Sequence, residues 1–536
     1  MKKITLLFGF VGVCCSNLFG QVTNVELLDT YSTQEIQSII SSFGLPVGII
    51  PLQFPVDFYR VSYMTVHPNG SEIEVSGALC LPHGVNCQLS LSSYQHGTIA
   101  KKTDAPSFQS DEGMLGVMYA SAGYISVMAD YIGLGISEGL HPYVHADSEA
   151  QACFDLLNAA VSLQSELEYE LNGQLFLWGY SQGGHATMAL QRKIELEAST
   201  EFEITASVPM SGPYNISGVQ ADVLTSDQYY PTPGYLPYVI LGYQEAYGDL
   251  YTNLEEVFLP EYASPLPTWF NGTYSMGYIN NQCPNIPSEM LQPDFIAAYE
   301  SDPNHPIRLA LQDNDLLDWA PQVTTQLLYC IGDDQVSYEN SLVAEQAYID
   351  LGSTSVEAID LGNYNHSGCA PFAMLLGFNL FESLRAPFFN PSITSIVTAS
   401  TGQSNGMIAL TIESDEAYTF TWSNGAETLI NSGLDAGEYT LTILGEQGCS
   451  VTYTFNVDLV DGIYEFISED GYFPNPTEGI LNLKAPATST LELMDMTGRT
   501  VLVASKGATQ IDLSALPDGV YFVRRGNDKP MKIVKQ

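Results

Sequence analysis

The chain has 536 residues, of which 45% are hydrophobic and 11% aromatic, so it is long enough for more than one domain and has the composition of a globular protein. Seventeen Lys and Arg residues against 61 Asp and Glu residues give a formal net charge of −44. Such a charge repels phosphate backbones and anionic lipid surfaces, and we expect no nucleic-acid partner.

The first twenty residues have the order of a secretion signal. Lys2 and Lys3 form a positive n-region, residues 4–13 are a short apolar core, and Gly20 is a small residue at the cleavage point. The core is too short to cross a bilayer, and no later stretch is long and apolar enough. We therefore expect residues 1–20 to be removed on export and the protein to be extracellular or on the cell surface.

The remaining basic residues are distributed unevenly along the chain. Residues 21–390 contain seven Lys and Arg residues, residues 391–460 contain none, and residues 466–536 contain eight. Three compositions in succession predict three modules with these boundaries.

Seven cysteines follow the signal, and in an oxidising compartment some of them should pair. Their connectivity cannot be read from sequence. Cys80 and Cys87 flank a turn-like segment and are the first candidates for a local bridge. No pair of cysteines has metal-ligand spacing with histidines nearby, so no metal site is expected.

The first region alternates short apolar runs with helical patterns. Between two runs, small and apolar residues recur at helical spacing from Ala146 to Gln164. This alternation predicts βαβ units and a mostly parallel sheet covered on both faces. Functional side chains are then expected beyond the carboxyl ends of the strands. The predicted strands are residues 89–95, 124–129, 175–178, 206–210, 327–331 and 356–361.

The motif Gly179-Tyr-Ser181-Gln-Gly183 follows one of these runs and precedes a helix-compatible segment, residues 185–197. This is the G-x-S-x-G pattern in the strand–turn–helix context of a serine nucleophile. Glycines on both sides let the strand and the helix approach closely, and N–H groups at the helix start can stabilise an oxyanion. Ser181 is therefore the predicted nucleophile.

A serine nucleophile needs a histidine base that follows it in the chain. Three histidines do so: His185 lies in the next helix, His305 precedes the candidate acids, and His366 follows a late predicted strand. Chain order therefore selects His366.

The acid that orients this base lies in Tyr329-Cys-Ile-Gly-Asp-Asp-Gln-Val336, at the end of an apolar run. Asp333 and Asp334 both qualify by chain order. Asp333 is favoured because it lies three residues before the apolar residue Val336, the usual sequence spacing between such an acid and the apolar residue that follows it. Asp334 is the alternative.

Two backbone N–H groups should complete an oxyanion hole. One belongs to Gln182, directly after the nucleophile. The other is assigned to Thr98 in Gln95-His-Gly-Thr98, the loop after an early strand. The Gly-rich segment 130–135 lacks a phosphate-binding Lys, so we expect it to be a loop near the site and not a nucleotide-binding segment.

A long insertion at about 212–320, between a core strand and the acid-bearing strand, is rich in tyrosine and is predicted to be a cap. Its rings could wall an apolar acyl or aryl pocket, or they could form only the core of the cap. Both interpretations stay open at this point.

The two later regions have the short alternating strands of β-proteins. In residues 391–460, Tyr418-Thr-Phe-Thr-Trp422 and Val451-Thr-Tyr-Thr-Phe455 alternate apolar residues with threonine, and Gly-containing turns separate such runs. Residues 466–536 are similar but basic. Two small all-β sandwich modules are predicted, neither with a nucleophile and base of its own.

Several motifs of the first region resemble a known family. Gln95-His-Gly-Thr98, Ala129-Asp-Tyr-Ile-Gly-Leu-Gly135, His141-Pro-Tyr143 and Gly179-Tyr-Ser-Gln-Gly-Gly184 together resemble the secretory lipases and related esterases of the α/β-hydrolase fold. The resemblance covers about residues 55–385. It implies hydrolysis of carboxylic esters by Ser181, Asp333 and His366, a capped site and no cofactor.

The later regions resemble parts of secreted Bacteroidetes proteins. Tyr418-Thr-Phe-Thr-Trp-Ser-Asn-Gly425 and Gly448-Cys449 resemble an SprB-type adhesin repeat. Pro474-Asn-Pro-Thr-Glu-Gly479, Met494-Asp-Met-Thr-Gly-Arg499 and Leu516-Pro-Asp-Gly-Val-Tyr-Phe-Val-Arg524 resemble a type IX C-terminal sorting domain. That resemblance implies the type IX secretion machinery as a partner.

The sequence therefore predicts an α/β-hydrolase fold with a cap insertion, followed by two small β-sandwich modules. The predicted function is a secreted serine carboxylesterase or lipase that acts on small-molecule or lipid esters. A polyester hydrolase or peptidase of the same fold is one alternative. A surface adhesin with an inactive hydrolase domain is another.

Overall fold

The computed structural model describes residues 20–42, 50–446, 448–459, 472–473, 476–484, 486–496, 498–526 and 530–536. Residues 1–19 of the predicted signal peptide, together with Pro474, Asn475 and Thr497 of the predicted tail motifs, lie outside the described residues. The chain forms two compact units. The first runs to Asn390 and includes residues 416–419 and 443–452, and the second contains residues 391–415, 420–442 and 453–536.

A nine-stranded sheet of order β1-β2-β3-β6-β5-β7-β8-β9-β10 organises the first unit. The first three strands pair antiparallel, and the pairs from β6 through β10 are parallel. The order reverses around β5, which lies between β6 and β7, as at the switch point of a doubly wound sheet. The strands of this unit are β1 Val22–Tyr31, β2 Val56–Val66, β3 Glu72–Pro82, β4 Val85–Asn86, β5 Gln88–Gln95, β6 Ile125–Ala129, β7 Glu170–Tyr180, β8 Glu203–Met210, β9 Thr324–Tyr329 and β10 Val356–Asp360.

Helices cover both faces of this sheet, so its central strands are apolar and buried along almost their whole length. One large hydrophobic cluster includes Trp178 of β7, whose ring stacks on that of Tyr119 at a centroid distance of 4.0 Å. No helix of the described residues is both long enough and apolar enough to cross a membrane. The helices are α1 Thr33–Ser42, α2 Asp111–Ser121, α3 Ala146–Leu163, α4 Gln182–Glu197, α5 Tyr235–Tyr247, α6 Pro260–Ala263, α7 Leu266–Trp269, α8 Met276–Asn280, α9 Pro293–Ser301, α10 Pro306–Asp313, α11 Glu339–Asp350 and α12 His366–Leu384.

The α/β fold class predicted from the apolar runs is confirmed. Each predicted run coincides with one of the strands β5 to β10, and the predicted helix from residue 146 is α3. The antiparallel strands β1 to β3 were not predicted. Strand β1 is half-exposed along its length, so it lacks the continuous apolar run of a buried strand.

The segment between β8 and β9 forms the cap and contains helices α5 to α10. It has a hydrophobic cluster of its own, in which the rings of Tyr238 and Phe270 lie 4.7 Å apart. Many of the cap's aromatic residues therefore form a core that holds this insertion together.

Small antiparallel sheets follow the hydrolase core, as predicted. Strands β11, β12 and β14 form one sheet; β19, β20, β22 and β23 form another; and β17, β18 and β21 form a third. Strands β13, β15 and β16 belong to a fourth sheet, in that order. In this sheet, Ser450 and Val451 of β16 pair with Asn86 and Val85 of β4, and all four residues lie inside the first unit. The strands are β11 Ser392–Thr398, β12 Gly406–Glu413, β13 Tyr418–Trp422, β14 Ile430–Leu434, β15 Gly437–Gly445, β16 Ser450–Val457, β17 Tyr472–Phe473, β18 Ile480–Leu483, β19 Leu491–Met494, β20 Thr500–Ala504, β21 Gln510–Asp512, β22 Gly519–Arg525 and β23 Met531–Lys535.

The two disulfides found among the described residues differ from the predicted local bridge. Cys87 pairs with Cys449, and Cys330 pairs with Cys369. The suggested Cys80–Cys87 bridge is wrong. Cys80 lies on β3 with its thiol buried in a hydrophobic cluster, whereas Cys87 is bonded to Cys449, directly before β16. Burial raises the pKa of the Cys80 thiol well above its ordinary value.

Candidate active site

Ser181 lies between the end of β7 and the start of α4. Its backbone has φ 62° and ψ −123°, in a region that residues with a Cβ atom rarely adopt. This conformation places the serine at the apex of the turn, at the carboxyl end of the parallel sheet. Its side chain is nearly buried and lies at the edge of a pocket.

Two glycines make this turn sterically feasible. A Cβ atom at Gly183 would clash with the backbone carbonyl of Gln95 on β5, and one at Gly179 would clash with the carbonyl of Gly183. Strand, turn and helix therefore pack closely enough that only glycine fits at both positions.

His366 and Asp333 meet at the ends of the later strands. Nδ1 of His366 lies 2.7 Å from Oδ2 of Asp333, and both side chains are buried. The other oxygen of Asp333 accepts hydrogen bonds from the backbone N–H groups of Gln335 and Val336 at 3.0 and 2.9 Å. The carboxylate is thus held from both sides, which orients the imidazole ring and fixes its tautomer.

Asp334, the alternative acid, makes a different contact. Its Oδ1 accepts the backbone N–H of His366 at 3.1 Å. The structure therefore brings Asp333 against the ring of His366 and Asp334 against its main chain.

A disulfide lies beside this pair of residues. Cys330 is three residues before Asp333, and its partner Cys369 is three residues after His366 in the first turn of α12. The bridge therefore ties the loop after β9 to the helix that begins with His366.

Tyr180 connects the serine turn to the histidine. Its hydroxyl donates to the backbone carbonyl of His366 at 2.6 Å, and the two rings lie 4.9 Å apart. The residue that precedes Ser181 is therefore in direct contact with His366. Sequence reasoning did not select Tyr180, because it fills a variable position of the G-x-S-x-G motif.

A mainly apolar pocket of about 650 Å³, its open mouth included, has Ser181 and Gln182 in its wall. Most of the remaining wall comes from the cap. Side chains of the cap therefore both form its hydrophobic core and line the pocket. Burial raises the pKa of Tyr235 to about 12, so this phenol stays protonated at neutral pH. The cap residues in the wall include Ile216, Leu224, Tyr230, Tyr235, Leu236 and Val239.

Thr98 follows β5 and Gln182 follows the serine turn after β7, and these two strands are neighbours in the sheet. Gln182 is the first residue of α4, where backbone N–H groups have no partner within the helix. Thr98 follows β5, and its hydroxyl lies 2.7 Å from that of Tyr143, another residue of the pocket wall. A Cβ atom on the neighbouring Gly97 would lie 3.5 Å from the carbonyl oxygen of Tyr180, so this loop packs against the serine turn.

Solved structures of known proteins share this architecture. The esterase LipA of Xanthomonas oryzae, described as degrading rice cell walls, is 31% identical with a TM-score of 0.61, over 68% of this chain and 98% of LipA. The chain belongs to the LipA family of α/β-hydrolases.

Two further solved structures share the fold of this chain. A Legionella pneumophila protein is 26% identical, with a TM-score of 0.63 over 68% of this chain and 98% of its own. Candida antarctica lipase A in its closed state is 16% identical, with a TM-score of 0.54 over 69% of this chain and 84% of its own, and shares the fold. The likeness to esterases and lipases supports an ester hydrolase. No curated protein sequence matches the chain.

The end of this LipA-family chain has a separate match. Residues 472–536 match the secretion system C-terminal sorting domain, which confirms the type IX tail predicted from sequence. This domain directs the protein through type IX secretion to the cell surface or the extracellular space. The SprB-type repeat stays a prediction.

Among the described residues, no cluster of three or more His, Cys, Asp or Glu side chains is arranged to hold a metal ion. The groups that the described residues bring to this site are a hydroxyl, an imidazole, carboxylates and backbone N–H donors.

Proposed function

We propose that this chain is a secreted serine esterase or lipase that hydrolyses carboxylic esters through an acyl-enzyme. Ser181 is the nucleophile, His366 the general base and acid, and Asp333 the residue that orients His366. The backbone N–H groups of Gln182 and Thr98 hold the oxyanion.

In the acylation step, the Oγ atom of Ser181 attacks the ester carbonyl while Nε2 of His366 takes its proton. Asp333 stabilises the imidazolium that forms. The tetrahedral intermediate collapses, and His366 gives the proton to the departing alcohol. A water molecule, deprotonated by the same histidine, then attacks the acyl-enzyme and releases the acid.

The single observation that carries this proposal is the 2.7 Å contact between His366 and Asp333, made beside Tyr180, the residue that precedes Ser181 in its positive-φ turn. The serine, the acid and the histidine also follow one another in the chain order of α/β-hydrolases. Membership of the LipA family adds an independent reason to expect ester cleavage.

The pocket favours esters with an apolar acyl group. Its wall is built largely of aliphatic side chains such as Leu224, Leu236 and Val239, which gain free energy by covering hydrocarbon. The cap also covers the serine, an arrangement that suits small-molecule or lipid esters better than a polymer surface.

The test is release of nitrophenol from p-nitrophenyl esters ranging from acetate to laurate, by the wild type and by Ser181→Ala. We expect activity with the wild type and a loss of at least about 10³-fold in kcat in the variant, with its melting temperature retained. Loss of that difference, with Ser181→Ala still active, would contradict the assignment of the nucleophile.

The same assay separates the alternatives. Emulsified triglyceride distinguishes a lipase from an esterase. Polyester film tests the polyester-hydrolase alternative, and peptide substrates test the peptidase alternative. Rice cell-wall material tests whether the chain shares the target described for LipA. A wild type that is inactive on every ester would support the binding-protein alternative instead.

A further inference from the structure

A buried polar network adjoins the serine turn through Gln182, the residue after Ser181. It joins His141, Glu149 of α3, Gln182 and His185 of α4, and Asn314 at the end of α10. All five side chains are at most 2% exposed. None of them is needed for proton transfer in the proposed mechanism, so their burial calls for another explanation.

Gln182 occupies the centre of this network. Its Nε2 lies 2.7 Å from Nε2 of His141 and 2.7 Å from Oε1 of Glu149, so one amide group donates to both. Nδ1 of His141 donates to the backbone carbonyl of Ile132 at 2.9 Å, which leaves Nε2 as an acceptor. Burial lowers the pKa of His141 to about 3, in agreement with a neutral ring.

Glu149 is held in turn by His185. Nδ1 of His185 lies 2.9 Å from Oε2 of Glu149, and its Nε2 lies 3.1 Å from the backbone carbonyl of Asn314. Both ring nitrogens of His185 therefore face hydrogen-bond acceptors. Glu149 and His185 form a buried hydrogen-bonded pair with no exposed surface on either side chain.

We propose that Glu149, held by His185, is a positioning residue that acts through Gln182 to aim the oxyanion-binding N–H group. Glu149 and His141 fix the amide of Gln182, and Gln182 begins the helix that supplies this N–H. The inference rests on the proposed function, because it gives the network a role in binding the transition state.

The carboxylate of Glu149 offers the network two acceptor oxygens, whereas an amide of the same shape offers one. Oε1 and Oε2 of Glu149 both receive hydrogen bonds, from Gln182 and His185. In Glu149→Gln the NH₂ group faces either His185 or Gln182. Facing Nδ1 of His185, it can donate only if that nitrogen carries no hydrogen, and Gln182 then keeps a neutral acceptor in place of a carboxylate, which gives a weaker hydrogen bond. Facing Gln182, it meets another donor. Rotating Gln182 to present its oxygen would then place that oxygen against the unprotonated Nε2 of His141, so the mismatch moves but remains.

The experiment compares Glu149→Gln with Asp155→Asn. Asp155 is a buried carboxylate on the same helix whose hydrogen bonds go to Thr65 and Gln151 instead of α4, so it is a matched control. For Glu149→Gln we expect kcat on p-nitrophenyl esters to fall by about 10- to 100-fold with KM nearly unchanged. Asp155→Asn should keep the kcat of the wild type.

A second readout separates positioning from a general loss of structure. An alkyl boronic acid forms a tetrahedral adduct with the serine and places an oxygen where the oxyanion develops. Its inhibition constant should rise in Glu149→Gln by about the same factor as kcat/KM falls, while that of the product carboxylic acid changes little. A structural role would lower the melting temperature without this parallel change.

The outcomes are distinct. If Glu149→Gln keeps kcat and boronic-acid affinity within about twofold, or loses kcat with unchanged boronic-acid affinity, the inference is wrong. If Glu149→Gln does not fold, Gln182→Met, which keeps the backbone N–H but removes the amide, is judged by the same two criteria. Retained activity in Ser181→Ala would instead overturn the proposed function itself.

Discussion

Two adjacent carboxylates at the end of β9 make different contacts with the same histidine. Asp333 accepts from the imidazole ring, and Asp334 accepts from the backbone N–H of His366. A charge beside the ring stabilises the imidazolium that forms during catalysis, whereas a contact with the main chain only helps to place the helix start. The two residues should therefore differ greatly in their effect on turnover.

The substitutions Asp333→Asn and Asp334→Asn test this difference. We expect Asp333→Asn to lower kcat by about 10³- to 10⁴-fold, because the amide cannot stabilise the imidazolium or hold its tautomer. Asp334→Asn can still accept the backbone hydrogen bond and should lower kcat by less than about tenfold. Steady-state kinetics on one ester decides, and the reverse ranking would mean that Asp334 is the acid.

Asp155 makes a pH-dependent contribution to stability. Burial raises its pKa to about 6, so the folded protein binds a proton there more readily than the unfolded chain does. The stabilising contribution is complete below the ordinary pKa near 3.8 and is lost as the pH rises through about 6. Relative to Asp155→Asn, the wild type should gain on the order of 2–3 kcal/mol of unfolding free energy between about pH 7 and about pH 4. Urea unfolding at several pH values measures this, and parallel curves would contradict it.

At the scale of elements, the buried parallel strands were predictable because each is a continuous apolar run ending at a polar or small residue. The antiparallel strands β1 to β3 were not, because β1 has only exposed and partly exposed positions, β2 mixes buried and partly exposed ones, and the apolar run in the buried part of β3 is interrupted by Ser76 and Gly77. The start of α4 was placed at residue 185, whereas the helix begins at Gln182. Gly183 and Gly184 make this helix start difficult to predict from sequence, since glycine normally disfavours a helix.

The part of the site that could be predicted is the part that a sequence motif or the order of residues along the chain specifies. The G-x-S-x-G motif singled out Ser181, and elimination among three histidines singled out His366. The contacts of Tyr180, Glu149 and His141 were not predictable, because they join segments far apart in sequence that meet only in the folded chain. The same holds for both disulfides.

The disulfide between Cys330 and Cys369 should stabilise both the fold and the active site. Replacing both cysteines with alanine should lower the free energy of unfolding by about 2–4 kcal/mol, because the bridge closes a segment with a sequence separation of 39. It should also lower kcat, since the loop with Asp333 and the helix with His366 lose their covalent link. Denaturant unfolding and ester kinetics measure both effects, and a variant with wild-type kcat would show that packing alone positions the pair.

On the scale of the whole molecule, the first compact unit does not end where its strand-and-helix alternation ends. Residues 443–452 belong to it, Cys449 is bonded to Cys87, and Thr452 donates its backbone N–H to the carbonyl of Gly84 at 2.7 Å. Composition placed the module boundary near residue 390, because a distant strand segment that completes a unit leaves no trace in local composition. The three-module division remains a prediction about which pieces fold independently.

Truncation tests that division. A mature chain ending at residue 459 should keep the melting temperature of the hydrolase unit. One ending at residue 390 should melt lower by on the order of 5 °C, because it lacks the Cys449 bridge and the β16 segment. Cys87→Ala in the longer chain is the control that separates the disulfide from the strand. Equal melting temperatures for all three chains would show that the hydrolase unit is complete by residue 390.

The most direct test of the central claim is covalent labelling of the nucleophile. The mature protein is treated with an alkyl fluorophosphonate, digested, and analysed by mass spectrometry to locate the adduct. The account predicts one adduct, on Ser181, formed in parallel with loss of esterase activity, and little labelling in His366→Ala because the serine is then not activated. Complete inactivation with the adduct on another residue, or full activity after Ser181 is labelled, would contradict it.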